Sequence, residues 1–105
     1  MIDKDLLIKQ VKILGGVEYQ NKKIYTLWTK ECKDPVKYLI AFESDGFSSE
    51  EKILKEIEFK TGREIPVLIS KDSILIGKIR VELKNLDKEI KDDFLKKLLK
   101  SAVKF

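Results

Sequence analysis

Mostly hydrophobic residues at the start of the chain recur every three or four positions, the spacing of one helical face. That face consists of Leu6, Leu7, Gln10, Val11 and Leu14. Asp3 precedes the pattern and is a favoured N-cap residue, whereas Gly15 and Gly16 follow it and commonly end a helix. The pattern therefore predicts a first helix over residues 3–14.

The next segment is rich in β-branched and aromatic residues, which favour strands. Residues 17–19 and 24–30 are predicted to form a hairpin that turns at residues 20–23. A third strand is predicted over residues 36–42. Its uninterrupted apolar run, Tyr38–Phe42, is typical of a strand buried on both faces, so we expect it to be central in its sheet.

A second helix is predicted by a capping box formed by Ser48 and Glu51. It is expected to end near Gly62, and a fourth strand is expected over residues 65–70. Pro66 has no N–H to give to a ladder, which favours an edge position or a strand entrance. The apolar face of the helix is expected to consist of Ile53, Leu54 and Ile57.

Residues 74–83 alternate between apolar and polar, but the phase changes at Gly77. The alternation favours a fifth strand, with a β-bulge at the glycine. A competing interpretation is one long helix through Ile76, Ile79, Leu83, Leu86 and Ile90. A last helix is predicted over residues 86–103, with an apolar face that includes Phe94, Leu95, Leu98 and Leu99.

The predicted order of elements is α-β-β-β-α-β-β-α. Helices and strands do not alternate strictly, which disfavours a doubly wound parallel sheet. We therefore expect residues 1–105 to form a single compact α+β domain. Its sheet should be mixed or mainly antiparallel, with the helices packed against it.

Histidine is absent from the 105 residues, and Cys32 is the only cysteine. The sequence thus excludes Cys/His zinc sites, serine-histidine triads and a disulfide within the chain. The amino terminus is too polar for a secretory signal, and no apolar run approaches the roughly 20 residues of a spanning helix. We therefore expect a cytoplasmic protein.

Basic residues outnumber acidic ones by 22 to 18, and the excess lies at the carboxyl end. Residues 96–105 carry four lysines and no acid: Lys96, Lys97, Lys100 and Lys104. This imbalance predicts a small non-enzymatic binding module that contacts nucleic acid or a protein through the last helix. A membrane surface is another anionic partner for such a helix. The alternative is a helix that covers the sheet while its lysines are merely solvated.

One group of residues could support catalysis without histidine. Glu31 and Lys33 flank Cys32 after the second strand, and Glu18 lies on the paired strand. Two carboxylates can hold Mg²⁺, and a nearby lysine can stabilise phosphoryl charge. The alternative is an exposed charge pair at the end of a hairpin.

The arrangement from Glu18 to Lys33 resembles the acid…acid-x-Lys signature of the PD-(D/E)xK nucleases, which include archaeal Holliday-junction resolvases. That family usually has aspartate where Glu18 stands, and no Pro-Asp precedes Glu18 here. The resemblance implies a Mg²⁺-dependent nuclease. Glu18 and Glu31 would hold the metal, and Lys33 would complete the catalytic set.

Three further features have two interpretations each. Glu43 and Asp45 could bind a divalent ion or could solvate a loop near a helix start. The aromatic residues Tyr19, Tyr25 and Trp28 could stack nucleic-acid bases or belong to the core. An edge strand near Pro66, or the apolar face of the last helix, could also pair copies of the chain into a homo-oligomer.

Overall fold

Two long buried strands form the middle of the fold in the computed structural model, which describes residues 1–29, 33–57 and 61–103. All six residues of β3 (Lys37–Phe42) are buried, as are the last four of β4 (Glu64–Ile69). The two strands are parallel, with Leu39 opposite Pro66. The expected central position of the Tyr38–Phe42 run is confirmed.

The remaining strands extend the sheet on both sides of this parallel pair. They are β1 (Val17–Glu18), β2 (Ile24–Trp28), β5 (Ser73–Ile76) and β6 (Ile79–Glu82). The spatial order is β1-β2-β3-β4-β5-β6, and every neighbouring pair except β3–β4 is antiparallel. The sheet is therefore mixed.

The described segments contain four α-helices beside the sheet: α1 (Lys4–Ile13), α2 (Glu50–Glu56), α3 (Leu86–Glu89) and α4 (Asp93–Ser101). Short 3₁₀ turns cover Glu43–Asp45 and Leu83–Asn85. The Cα radius of gyration is 12.5 Å, close to the ~13 Å of a single domain of this length. The expected single compact α+β domain is confirmed. No helix of the described segments is long and apolar enough to cross a bilayer.

The helices divide unequally between the two faces of the sheet. α1, α3 and α4 contribute residues such as Leu7, Leu86 and Leu99 to one core cluster, which we call the large core. α2 contributes Ile53 to a second cluster on the opposite face, the small core. Successive strand residues point to opposite faces, so Ile40 of β3 belongs to the large core and Leu39 to the small one.

α1 and α4 lie side by side and antiparallel. The residues just outside their facing ends form an isolated antiparallel bridge between Ile2 and Val103. The N–H of Asp3 also donates to the carbonyl of Ala102 at 2.8 Å. The start of α1 therefore adjoins the end of α4, which places opposite helix-dipole ends together.

Residues 74–83 form a hairpin rather than one strand with a bulge. β5 and β6 pair antiparallel, and Ile76 lies opposite Ile79 across the two-residue turn of Gly77 and Lys78. Gly77 has φ +58°, as the first residue of a tight hairpin turn requires and as glycine adopts without strain. The phase change in the sequence is the reversal of the chain. The predicted bulge and the competing long helix are both wrong.

The predicted helix over residues 86–103 is two helices. α3 ends at Glu89, and the carboxylate of Asp92 then accepts hydrogen bonds from the N–H groups of Phe94 and Leu95 at 2.9 and 3.2 Å. A new N-cap inside the apolar repeat therefore starts α4. The break lets Ile90 as well as Leu95 reach the large core.

Two smaller expectations near α2 also need correction. Ser49, not Ser48, is the N-cap, since its hydroxyl accepts from the N–H of Lys52 at 3.3 Å. The helix ends at Glu56, well before Gly62, and Leu54 is exposed instead of facing the core.

Pro66 is in the interior of the sheet, so the edge alternative is wrong, although its place near the start of β4 fits a strand entrance. Its carbonyl accepts from the N–H of Gly77 at 2.8 Å. The nitrogen and carbonyl of one strand residue point to the same side. The nitrogen of Pro66 therefore points towards the β5–β6 turn. Its lack of an N–H removes no hydrogen bond between β3 and β4.

Candidate functional site

Three of the four lysines predicted to form a basic surface lie on α4, and two of these three have acidic neighbours. Lys100 donates to Asp87 of α3, with 2.9 Å between Nζ and Oδ1. Lys96 is partly buried and its Nζ lies 4.0 Å from Oδ1 of Asp93. Lys97 is exposed, and no ion pair involves it among the described residues. The fourth lysine, Lys104, lies outside the described residues.

The bond from Lys100 alters the titration of its partner. Asp87 has a pKa below the ordinary aspartate value, chiefly because its carboxylate accepts the hydrogen bond from Lys100. Lys100 therefore has an intramolecular acidic neighbour. Among the described lysines of this surface, Lys97 is the exposed one without an acidic side chain in ion-pair distance.

Lys97 lines a groove between α1 and α4. The other lining residues are Gln10, Leu14, Phe94, Leu98 and Ser101. On α4 the spacing from Phe94 to Lys97, Leu98 and Ser101 is three, four and seven residues, so these four side chains share one helical face. The floor of the groove is mainly apolar, and Lys97 is the one charged residue among the described residues that line it.

Two exposed hydrophobic residues of α1 lie outside this lining but on the side of the helix that carries Gln10. Leu6 precedes Gln10 by four residues and Ile13 follows it by three, so all three lie on the same side of the helix. Leu6 is 38% exposed and Ile13 is 66% exposed. Lys9 and Lys12 are exposed on the same helix. An apolar strip with cations beside it thus faces solvent along the helix pair.

Comparisons with models of protein families, with curated proteins and with solved structures found no match to this chain. The interpretation of the groove rests on its own geometry.

The residues of the predicted magnesium site are only partly described. Glu18 is exposed on the edge strand β1, opposite Tyr25 near the start of β2. Lys33 is exposed and follows the other end of β2. Glu31 and Cys32 lie outside the described residues, so the nuclease interpretation stays a prediction. Within the described ranges, no group of three acidic or cysteine side chains is placed to hold a metal ion.

In the second acidic pair, Glu43 and Asp45, the carboxylate of Asp45 binds a lysine of the same chain. Both carboxylate oxygens of Asp45 accept from Nζ of Lys4, at 2.5 and 2.6 Å, and the Asp45 side chain is nearly buried. Nζ of Lys4 also lies 5.2 Å from the ring centre of Phe42. Asp45 therefore ties the loop after β3 to the start of α1.

The three aromatic residues do not form one platform. Tyr25 packs against the large core, whereas Tyr19 packs against the small core. Trp28 is an odd number of positions from Tyr25 on the same strand, so it points to the opposite face. There its ring centre lies 5.9 Å from Nζ of Lys37. Burial raises the pKa of Tyr25, with a smaller contribution from the negative charge of Glu18.

Sequence reasoning missed the α1 half of the groove. It assigned Leu6, Gln10 and Leu14 to one core-facing stripe with Leu7 and Val11, but only the last two are buried. Ile13 lies outside that face, and it was the sequence feature that could have indicated the groove. A large apolar residue outside the core-facing side of a helix is left exposed. The partner helix is about 90 residues away in sequence, and no local pattern identifies it.

Proposed function

We propose that this chain is a non-enzymatic binding module that holds an acidic, amphipathic helical segment of a partner protein in the α1–α4 groove. The observation that carries the proposal is the composition of the groove. Its lining combines Leu14, Phe94 and Leu98 with Lys97, and none of the described residues that line it is acidic.

The apolar part of the groove explains why the segment should be amphipathic. Burying apolar surface contributes about 25 cal/mol per Å², and Ile13 and Leu6 offer surface that the fold leaves in water. A helix that presents apolar residues at spacings of three and four can cover such a groove. The bound helix would then cover these two side chains, which the domain itself leaves in water.

The charges explain why the segment should be acidic. Lys97 lies in the groove lining, and Lys9 is exposed on α1 next to Gln10. Carboxylates on the rim of the bound helix would meet these cations. Such rim contacts govern orientation and association rate more than affinity.

The same observations favour a protein over nucleic acid. Phosphate binding draws its affinity from cations that release counterions, but Lys96 and Lys100 already have Asp93 and Asp87 as neighbours. A nucleic-acid backbone would also leave the apolar floor uncovered. The acidic segment uses both the apolar and the basic part of the surface.

The test is a binding titration with a defined probe. A fluorescein-labelled Glu/Leu amphipathic peptide of about 14 residues, or four helical turns, is titrated with the protein and followed by anisotropy. We expect a Kd on the order of 10–100 µM. A Lys/Leu peptide with the same apolar pattern should bind at least about tenfold more weakly, since its charges face Lys97.

Matched variants locate the contact. Lys97→Glu should weaken binding by roughly fivefold to tenfold, whereas Lys55→Glu on α2 should not change it. Ile13→Ser should weaken binding by a similar factor, while Ile79→Ser, at an isoleucine of nearly equal exposure, should leave it unchanged. Equal effects within either pair would contradict the proposed groove. Tighter binding of a duplex or single-stranded oligonucleotide than of the acidic peptide would favour the nucleic-acid alternative instead.

A further inference from the structure

The strand β6 forms one edge of the sheet. It is last in the strand order, and β5 is its only strand neighbour among the described residues. Ile79, Arg80 and Glu82 are exposed. Ile79 is 67% exposed, the highest value among the large hydrophobic residues of the described segments. An open strand edge carries backbone groups that can pair with another strand.

The register identifies the backbone groups that point outward. The N–H of Leu83 donates to the carbonyl of Asp72 at 3.3 Å, so Leu83 faces the β5 side. Bonded and non-bonded pairs alternate along an antiparallel ladder. Val81 and Ile79 therefore also face β5, and the N–H and C=O groups of Arg80 and Glu82 point away from the sheet.

The charges along this edge complement a second copy of themselves. Arg80 and Glu82 flank Val81 and point to the same face, because they are two residues apart on a strand. If two β6 strands run antiparallel with Val81 opposite Val81, Arg80 of each copy stands opposite Glu82 of the other. The outward backbone groups of these residues then form the bonded pairs of the new ladder.

We infer that β6 pairs with β6 of a second copy in this register, which extends the sheet across a two-fold axis. Four backbone hydrogen bonds and two reciprocal Arg80–Glu82 ion pairs form. Ile79 comes to lie opposite Leu83 of the second copy, which covers its exposed side chain. Such a contact is isologous, which means that both chains use the same surface patch. The inference does not depend on the α1–α4 groove.

Existing contacts of the two charged residues are compatible with this pairing. A guanidinium Nη of Arg80 donates to the hydroxyl of Ser73 at 2.7 Å, and the group has further N–H donors for a carboxylate. Oε2 of Glu82 lies 3.2 Å from Nζ of Lys84. This ion pair is highly exposed, so breaking it costs little free energy. The paired surface is short, so the dimer should be weak, with a Kd of roughly 10⁻⁵ to 10⁻³ M.

Sedimentation velocity tests the inference over protein concentrations from about 10 µM to about 1 mM. The natural sequence should show a sedimentation coefficient that rises with concentration towards that of a dimer. Arg80→Glu sets carboxylates opposite carboxylates, and Glu82→Arg sets guanidinium groups opposite guanidinium groups. Each single variant should remain monomeric throughout the range, whereas the control Lys55→Glu should dimerise like the natural sequence.

Complementation separates the proposed pairing from a general effect of charge. In an equimolar mixture of the two single variants, every facing pair has opposite signs again, so a dimer should reappear. The double variant R80E/E82R should dimerise alone. A monomeric natural sequence at the highest concentration, dimerisation of either single variant, or a mixture that stays monomeric would overturn the inference.

Discussion

The two faces of the sheet are covered in different ways. On one face, α1, α3 and α4 bury a cluster that contains 17 of the described residues, whereas the cluster under α2 contains 7. α1 and α4 have ten and nine residues, but α2 has only seven and begins and ends within two turns. The large core is therefore expected to contribute most of the stability of the fold.

The difference also concerns surface. On the side of the large core, α1 and α4 lie next to each other and enclose the groove, whereas the small core is covered by one short helix. In this protein the groove lies over the large core, and its floor is built from Leu98, which also packs into that core. The proposed binding surface thus lies over the larger of the two core clusters.

The largest expected effect comes from truncating matched residues on the two faces. Leu99 of α4 and Ile53 of α2 both have 0% exposure. Leu99→Ala should lower the free energy of unfolding by about 4 kcal/mol, and Ile53→Ala by about 2–3 kcal/mol. The small core should lose less because its single short helix can shift to fill the cavity. Urea denaturation measures both values, and an equal or larger loss at Ile53 would reverse the ranking of the faces.

An intermediate effect is expected at the start of α4. Asp92 caps the helix through Oδ1, and the hydroxyl of the buried Tyr38 donates to its Oδ2. Asp92→Ala should cost about 2–4 kcal/mol, because both the cap and the partner of the hydroxyl are lost. Asp92→Asn keeps an acceptor for the cap and a group for Tyr38, so it should cost less than half as much. Thermal or urea unfolding of the two variants and of Tyr38→Phe separates the two contributions.

The smallest expected effect concerns pH. Since the pKa of Asp87 is lowered in the folded state by Lys100, the stabilisation from this pair is complete above the unfolded-state pKa. It is lost as the pH falls through the lowered folded-state pKa. Lys100→Met should raise the Asp87 pKa towards its ordinary value, and Lys97→Met should leave it unchanged. Carboxyl ¹³C titration by NMR measures the shift, and an unaltered Asp87 titration in Lys100→Met would contradict the assigned cause.

Local patterns were sufficient for much of the fold. The repeat that begins after Asp3 predicted α1, whose cap forms a hydrogen bond to the N–H of Leu6 at 3.1 Å. The apolar run Tyr38–Phe42 predicted the centre of the sheet, because only a strand covered on both sides can bury successive residues. In both cases the local pattern alone was enough to predict the type and the place of the element.

The errors arose where one local pattern fits two structures. Alternation on both sides of Gly77 is equally compatible with a bulged strand and with a tight hairpin, and pairing with β4 decides between them. The apolar repeat of the last segment continues on both sides of Asp92. The repeat therefore predicted one helix, although Asp92 is the N-cap of a second one. At Ser48 and Ser49 both residues can cap, and the burial of Ile53 sets the register.

The candidate site was predictable only in part. The lysines of α4 were evident from residues 96–100. The acidic partner of Lys100, Asp87, lies on α3, a separate helix that the sequence pattern did not distinguish from α4. The groove itself requires α1 beside α4, a contact between residues 2 and 103 at opposite ends of the chain. Such long-range neighbours are fixed by packing and leave no local signature.

The most direct test of the proposed function is an NMR titration of the ¹⁵N-labelled protein with the Glu/Leu peptide. Amide shifts should change along α1 and α4, with the largest changes around Gln10, Leu14 and Lys97, and they should saturate with the affinity found by anisotropy. Amides of α2 and of the β5–β6 hairpin should not respond. Shift changes centred on α2, on β6 or on the β2–β3 end of the sheet would contradict the assignment of the groove.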